Sequence, residues 1–261
     1  MEAIETKAPQ GKTHRFKVPS GDYITIREQN GNDDDIISNS GKSKDGTSFN
    51  EFISGIIINS ERAGGRLSPS DILDMPLRDK YTVLIQSRIF SLGETVSFQY
   101  DFGNGIQKDL IDFSEDLNRY TWDYDTDFPA EGHPDYEEER IPPYEGTETY
   151  FELELSSGKI VRLDFLNGKS EKYILSIEED NQSANMILKA RNIRLKQPEL
   201  TYMKVETFTI FSARDMLEIR SGVKRFDLEI TLNSEIEHPK NGMSEILSLT
   251  QIPDFFFPVL S

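Results

Sequence analysis

The sequence predicts an α+β chain of antiparallel β-hairpins with short helices, in which one helix–hairpin unit is repeated twice. Three observations predict it. Short runs of alternating apolar residues flank Ser-Gly and Asn-Gly pairs, which are hairpin signals. Longer runs place apolar residues at helical spacing. An Arg-Asp pair opening such a run, followed by an Asn-Gly hairpin, occurs at 78–105 and again at 214–242.

Residues 1–13 read as a polar leader. In "HRFKVPSGDYITIREQ" (14–29) two short strands meet across Pro19-Ser20-Gly21. The stretch 30–46, "NGNDDDIISNSGKSKDG", reads as an acidic loop. A helix follows, with Ser48 as N-cap, Glu51 completing a capping box, and a stripe of Phe49, Phe52, Ile53, Ile56 and Ile57. Residues 67–93 carry two helix starts, at Ser68-Pro69 and at Asp74 before Pro76. Leu77, Tyr81, Leu84, Ile85 and Ile89 then recur at helical spacing, and Gly93 marks the stop. "ETVSFQYD" and "IQKDLIDF" flank Asn104-Gly105, completing a first half at 14–114.

Residues 115–146 form an acidic, proline-bearing, aromatic-dotted connector, the best internal boundary. The second half (147–261) starts with "TYFELEL" and "KIVRLDF" across Ser157-Gly158, then helical segments near 170–179 and 183–192. "SARDMLEIRSGV" (212–223) repeats the pattern of "PLRDKYTVLIQS" (76–87). "FDLEITLNSEI" reads as a long strand paired with "MSEILSLTQI" across Asn241-Gly242. Such a repeat means one supersecondary unit used twice, with the copies able to share a core. The tail "PDFFFPV" (253–259) sets Phe255, Phe256 and Phe257 between prolines. Exposed, the triplet is an aggregation liability. It either staples the chain end to its own core, the favoured reading, or docks into a neighbouring subunit.

Composition bounds the function. The 261 residues are 36% apolar and 29% charged, as in a folded soluble protein. The net charge of −17 disfavours nucleic acid and anionic membranes as partners, because phosphate binding needs clustered bases. Zero cysteines exclude a disulfide framework, a thiolate nucleophile and thiolate-ligated metal. The opening residues lack a signal-peptide core, and the longest apolar stretches fall short of the roughly 20 residues of a spanning helix, so a soluble protein made in a cytoplasm is expected.

Site candidates compete with plain readings. Ile36–Ser43, "IISNSGKS", ends like a phosphate-binding loop, but Ile36 replaces its first glycine and no strand precedes it, so it reads as solvated. Asp123, Asp125 and Asp127 alternate as in a calcium loop, but Phe128 replaces the sharp-turn glycine and Pro134 the closing glutamate. The three histidines, His14, His133 and His238, sit at a hairpin start, in the connector and at a turn tip. No nucleophile elbow accompanies them, and 46 acids always supply carboxylate pairs without proving one. No enzyme and no cofactor are expected.

Four pieces carry a resemblance. They are "VPSGDYITIRE", "MPLRDKYTVLIQSRIFSLGETVSF" with its hairpin, "LSSGKIVRLDFLNGKSEKYI", and the second hairpin with its "DFFFP". Together they resemble the baseplate proteins of contractile-tailed bacteriophages, the group that includes hub-assembly proteins of T-even phages. The resemblance implies a structural or assembly role in a hub or wedge, in the virion tail or in the host cytoplasm during assembly. Its partners would be other baseplate, hub or tail-tube proteins.

Members of that family often carry Cys-Pro-x-Cys-Gly at the hairpin tips, which looks like a zinc ribbon of two knuckles. Here Asp101, Asn104, His238 and Asn241 occupy those positions. They make a poor zinc set, so the expectation is no metal and tips held by the backbone geometry of the Asn-Gly turns alone. The expected partner contacts are aromatic: Tyr120, Trp122 and Tyr124 in the connector, and Phe255, Phe256 and Phe257 in the tail. The alternative is a calcium-dependent or carbohydrate-binding β-rich module, with Trp122 and Tyr124 as a sugar platform beside the three aspartates.

Overall fold

A computed structural model describes residues 11–37, 47–103, 108–120, 149–177, 184–227 and 233–248. The chain is α+β, with every strand pair antiparallel. Strands β1 (Thr13–Lys17) and β2 (Tyr23–Arg27) form the first hairpin. The loop taken from 30 onward begins instead as helix α1 (Gly31–Ile37). Asp33 anchors it, because its buried carboxylate takes the Asn30 N–H at 2.8 Å and both Arg27 nitrogens at 2.7 Å. Ile36 and Ile37 therefore close a helix, and the rest of the phosphate-loop candidate lies outside the described residues.

Helix α2 (Thr47–Ile56) starts two residues earlier than expected. Ser48 is thus inside the helix, buried, and its hydroxyl makes no hydrogen bond, so it is no N-cap. Ile57, assigned to the helical stripe, opens strand β3 (Ile57–Ser60), which pairs with β2. Three isoleucines in a row suit a strand buried on both faces as well as a helix. Helix α3 (Pro69–Asp74) has the expected start: Ser68 and Asp71 cap each other's backbone N–H groups. Asp74 ends α3 rather than capping the next helix. That helix, α4 (Leu77–Leu92), begins behind Pro76 without a side-chain cap. The hairpin β4 (Thr95–Asp101) and β5 (Leu110–Asp116) follows, and with the 3₁₀ turn at Leu117–Tyr120 it reaches into the stretch read as connector. Leu117 in that turn is fully buried in the first core with Ile24, Ile26, Phe52 and Ile85.

The second half retraces this path. Strands β6 (Tyr150–Glu154) and β7 (Ile160–Asp164) form a hairpin, and helices α5 (Gly168–Leu175) and α6 (Ala184–Ala190) follow. Strand β8 (Arg194–Lys196) pairs with β7 as β3 does with β2. Strand β9 (Tyr202–Lys204) adds an edge without counterpart. Helix α7 (Ala213–Phe226), capped by Ser212, precedes the hairpin β10 (Asn233–Glu237) and β11 (Ser244–Ser248). The expected long strand over 226–236 is therefore shorter, since Phe226 still belongs to the helix.

The duplication extends to single bonds. In the first turn Val18 donates its N–H to the Asp22 carbonyl and Gly21 to Val18; in the sixth-strand turn Leu155 donates to Lys159 and Gly158 to Leu155. Gly21 and Gly158 both hold φ near +80° (82° and 79°), which favours glycine. Ten residues after each stands a second glycine, in Asn30-Gly31 and Asn167-Gly168, where the asparagine side chain accepts the N–H two residues on. His14 stacks on Phe90 at 5.3 Å, and Phe151 on Phe226 at the same distance. At the third helical position Asp79 accepts the Ser20 N–H of its hairpin turn at 2.9 Å, and Asp215 takes Lys159 of its own turn at 2.8 Å.

The two modules join where α4 meets the start of α5. Leu77 donates its N–H to the Leu166 carbonyl at 2.8 Å, Arg78 lies 4.0 Å over the Phe165 ring, and buried Lys80 pairs with Glu171. Gly168 fits against Leu73 so closely that a Cβ there would stand 3.0 Å from the Leu73 Cα.

Candidate functional site

The two hairpin tips, far apart in sequence, meet. Strands β4 and β5 pair in register from Thr95↔Asp116 to Asp101↔Leu110, and Phe102 then donates its N–H to the Asp109 carbonyl at 3.0 Å. Asp101 Oδ1 accepts the N–H groups of Gly103 at 2.9 Å and Asp109 at 2.8 Å. Those bonds, the one from Asp109 foremost, hold its carboxyl below the usual range. In the other tip, His238 and Met243 are joined by an N–H to carbonyl bond of 2.8 Å, and Gly242 takes φ of +68°. Asn241 Oδ1 accepts the Met243 N–H at 3.0 Å.

His238 connects the tips. It is buried, 2% exposed, with its ring edge-on to Phe102 at 5.1 Å. Nδ1 accepts the Lys240 N–H at 3.1 Å, so the ring proton sits on Nε2, which donates to Asp109 Oδ2 at 2.9 Å. Phe102 in turn packs on Tyr100 at 4.8 Å and Phe113 at 6.1 Å. Behind the tip, Ser234 and Ile236 are buried and Leu247 packs on the core of the first module. The last hairpin is thus an arm of module two laid on module one.

Backbone turn geometry alone does not hold these tips, as the sequence suggested. Side-chain acceptors do much of it: Asp101, His238 and Asn241 each take the N–H two residues on, the same local bond three times. Asn104 lies outside the described residues. Among the described residues no cluster of three or more His, Asp or Glu is placed to hold a metal ion.

The other sequence candidates scatter. Tyr120 is half-buried and donates its hydroxyl to Glu115 at 2.7 Å. Burial first, then that carboxylate, push its phenol up to about 12. It is a packing residue against the first core rather than an open anchor. Trp122, Tyr124, Asp123, Asp125, Asp127, His133 and Phe255–Phe257 lie outside the described residues. His14 Nε2 donates to Gln86 Oε1 (3.1 Å), and the ring stacks between Phe16 and Phe90. Sequence reading missed Phe102 and Asp109. Both flank the Asn-Gly pair that was noticed, and an aromatic followed by an acid at a hairpin mouth is the available signal.

No family model, curated protein or solved structure matches the chain.

Proposed function

We propose that the protein is a non-catalytic structural or assembly component of a contractile-tail baseplate, in the hub or a wedge, working through protein–protein contacts. The observation that carries this reading is the meeting of the tips. The baseplate proteins that the sequence resembles often carry knuckle cysteines at these tips, and here Asp101, His238 and Asn241 lie on two facing hairpins bridged by His238, Asp109 and Phe102. A bridge of this kind fixes two modules rigidly, which suits a part that presents surfaces to neighbours. The net charge of −17 keeps a free subunit soluble and steers it toward basic partners rather than nucleic acid or anionic lipid.

The test is quantitative mass spectrometry of tails and tail sub-assemblies purified from cells that produce the chain. A fixed stoichiometry in tails, or in an intermediate on the way to them, supports the reading. Absence from every tail fraction while the chain remains in the free pool refutes it.

A further inference from the structure

The internal duplication supplies a control for a groove in module two. The groove runs between strand β6 and helix α7, has a volume of about 810 Å³, and is lined by Leu153, Leu155, Leu217, Gly222 and Phe226 with Glu154 at its rim. Its floor is where helix and strand come closest: a Cβ on Gly222 would stand 2.3 Å from Leu153 Cδ1. Gly222 lies ten residues after the helix cap Ser212, and in module one the residue ten after Pro76 is Gln86. There Gln86 reaches across to His14 at 3.1 Å and closes the space between helix and strand. Module two has glycine in place of glutamine and phenylalanine in place of histidine. Leu153 packs against the bare Gly222 backbone instead, and the Phe151–Phe226 stack is kept.

The strand beside this groove is an edge. The sheet order is β6-β7-β8-β9, and among the described residues nothing pairs the outer side of β6. Its free N–H and C=O groups would accept one more strand. Leu217, across the groove, is 63% exposed. Outside the groove the strand presents Glu152 and Glu154, on a chain of net charge −17.

The geometry points to a peptide-docking groove that takes an extended segment of a partner protein, apolar at every second residue and basic between. The main chain would add to β6. The apolar side chains would enter between Leu153, Leu155, Leu217 and Phe226, and the basic ones would face Glu154. A second copy of this chain is the poorer occupant, since its own β6 would bring glutamates against glutamates. This inference rests on module two alone and not on the baseplate reading, so either can fail without the other.

The experiment uses the full-length chain and two synthetic peptides of identical composition: the alternating Lys-Val-Lys-Val-Lys-Val-Lys and its block isomer. Binding is read by fluorescence anisotropy at about 0.15 M salt, where long-range attraction is screened, and located by amide hydrogen exchange. The expected result is saturable binding of the alternating peptide, at least about tenfold tighter than the block isomer, with slowed exchange at residues 150–154. Gly222→Gln, whose side chain would push Leu153 out of its place into the groove, and Leu217→Lys, at an exposed position safe for folding, should each weaken it by about tenfold or more. Equal binding of the two peptides, protection elsewhere, indifference to Leu217→Lys in a variant with parental circular dichroism, or no binding at all overturns the proposal.

Discussion

Replacing His238 by alanine tests the clasp between the tips directly. The substitution removes the edge-on contact with Phe102, worth about 0.5–1.5 kcal/mol. It removes the bond to Asp109, whose side chain is half exposed, so solvent screening limits that loss to about 0.5–1 kcal/mol. It also leaves a void where a ring was 98% covered, adding on the order of 1 kcal/mol after partial collapse. The sum is about 2–3.5 kcal/mol. Asp109→Ala should cost about 0.5–1 kcal/mol, and the double variant should show a coupling of about 0.5–1 kcal/mol. Urea unfolding at pH 7, followed by far-ultraviolet circular dichroism, measures all three differences. Hydrogen exchange at residues 234–247 should rise in His238→Ala more than anywhere in β6 or β7, because the arm loses its anchor while module two keeps its core. A His238→Ala chain within about 0.5 kcal/mol of the parent, or zero coupling, refutes the view that these side chains hold the modules together.

Three further outcomes follow from the same contacts. Gly168→Ala should destabilise by about 1–3 kcal/mol in urea unfolding, since its Cβ meets the backbone of α3, whereas Gly31→Ala at the equivalent open position should be neutral or slightly stabilising; equal effects would sink the assigned module contact. Asp79, fully buried, has its carboxyl raised to about 6 mainly by desolvation. Its ionisation therefore opposes folding: the advantage is complete below the unfolded value near 3.8 and lost as pH rises through about 6, a difference of at most about 3 kcal/mol. Asp79→Asn, which keeps an acceptor for Ser20, should flatten that part of the stability–pH curve, and an unchanged slope would contradict the burial argument. Zinc titrated into the parent should leave its unfolding temperature unchanged, because Asp101 and His238 already accept backbone N–H groups; a rise of several degrees would show a metal site instead.

Local signals in the sequence were reliable where a residue type has one mechanical use. Ser68 and Pro69 start α3 as written, and the Ser-Gly and Asn241-Gly242 pairs turn hairpins. The reading failed where burial on all sides erases periodicity. Ile56 and Ile57 are both fully buried, one in a helix and one in a strand, and nothing in their side chains separates the two states. Helix α4 buries Arg78, Asp79 and Lys80 along with Val83, Leu84 and Ile85, so Arg78 and Lys80 meet the other module while Asp79 meets its own hairpin turn. The clasp was half visible. Its turn residues stood out, but that His238 would meet Asp109 depends on how two modules dock, which no local pattern encodes. The duplication was read from its Arg-Asp and Asn-Gly pairs, but a second mark of it was overlooked: Ser-Gly and Asn-Gly recur at the same ten-residue spacing at 20–31 and 157–168.

The pair Asp79 and Asp215 shows how one inherited position can serve two modules with opposite electrostatics. Both stand third in their helix and both grip the turn of their own hairpin. Asp215 meets the Lys159 ammonium, and that bond, with others from Ser157 and Ser212, drives its carboxyl far below the ordinary range. Its contribution to stability is therefore present above the unfolded value and lost as pH falls. Asp79 has Asp22 where its counterpart has Lys159, so its turn offers an N–H and no cation. Both carboxylates are buried, but with no cation on its turn desolvation wins at Asp79, and its ionised form is disfavoured. Around it the docking of the modules covers Arg78 and Lys80, whereas α7 leaves Arg214 exposed to water and Leu217 in the groove. One helix thus spends its outer face on the contact between modules; the other keeps that face free, which is the physical basis for expecting a partner there.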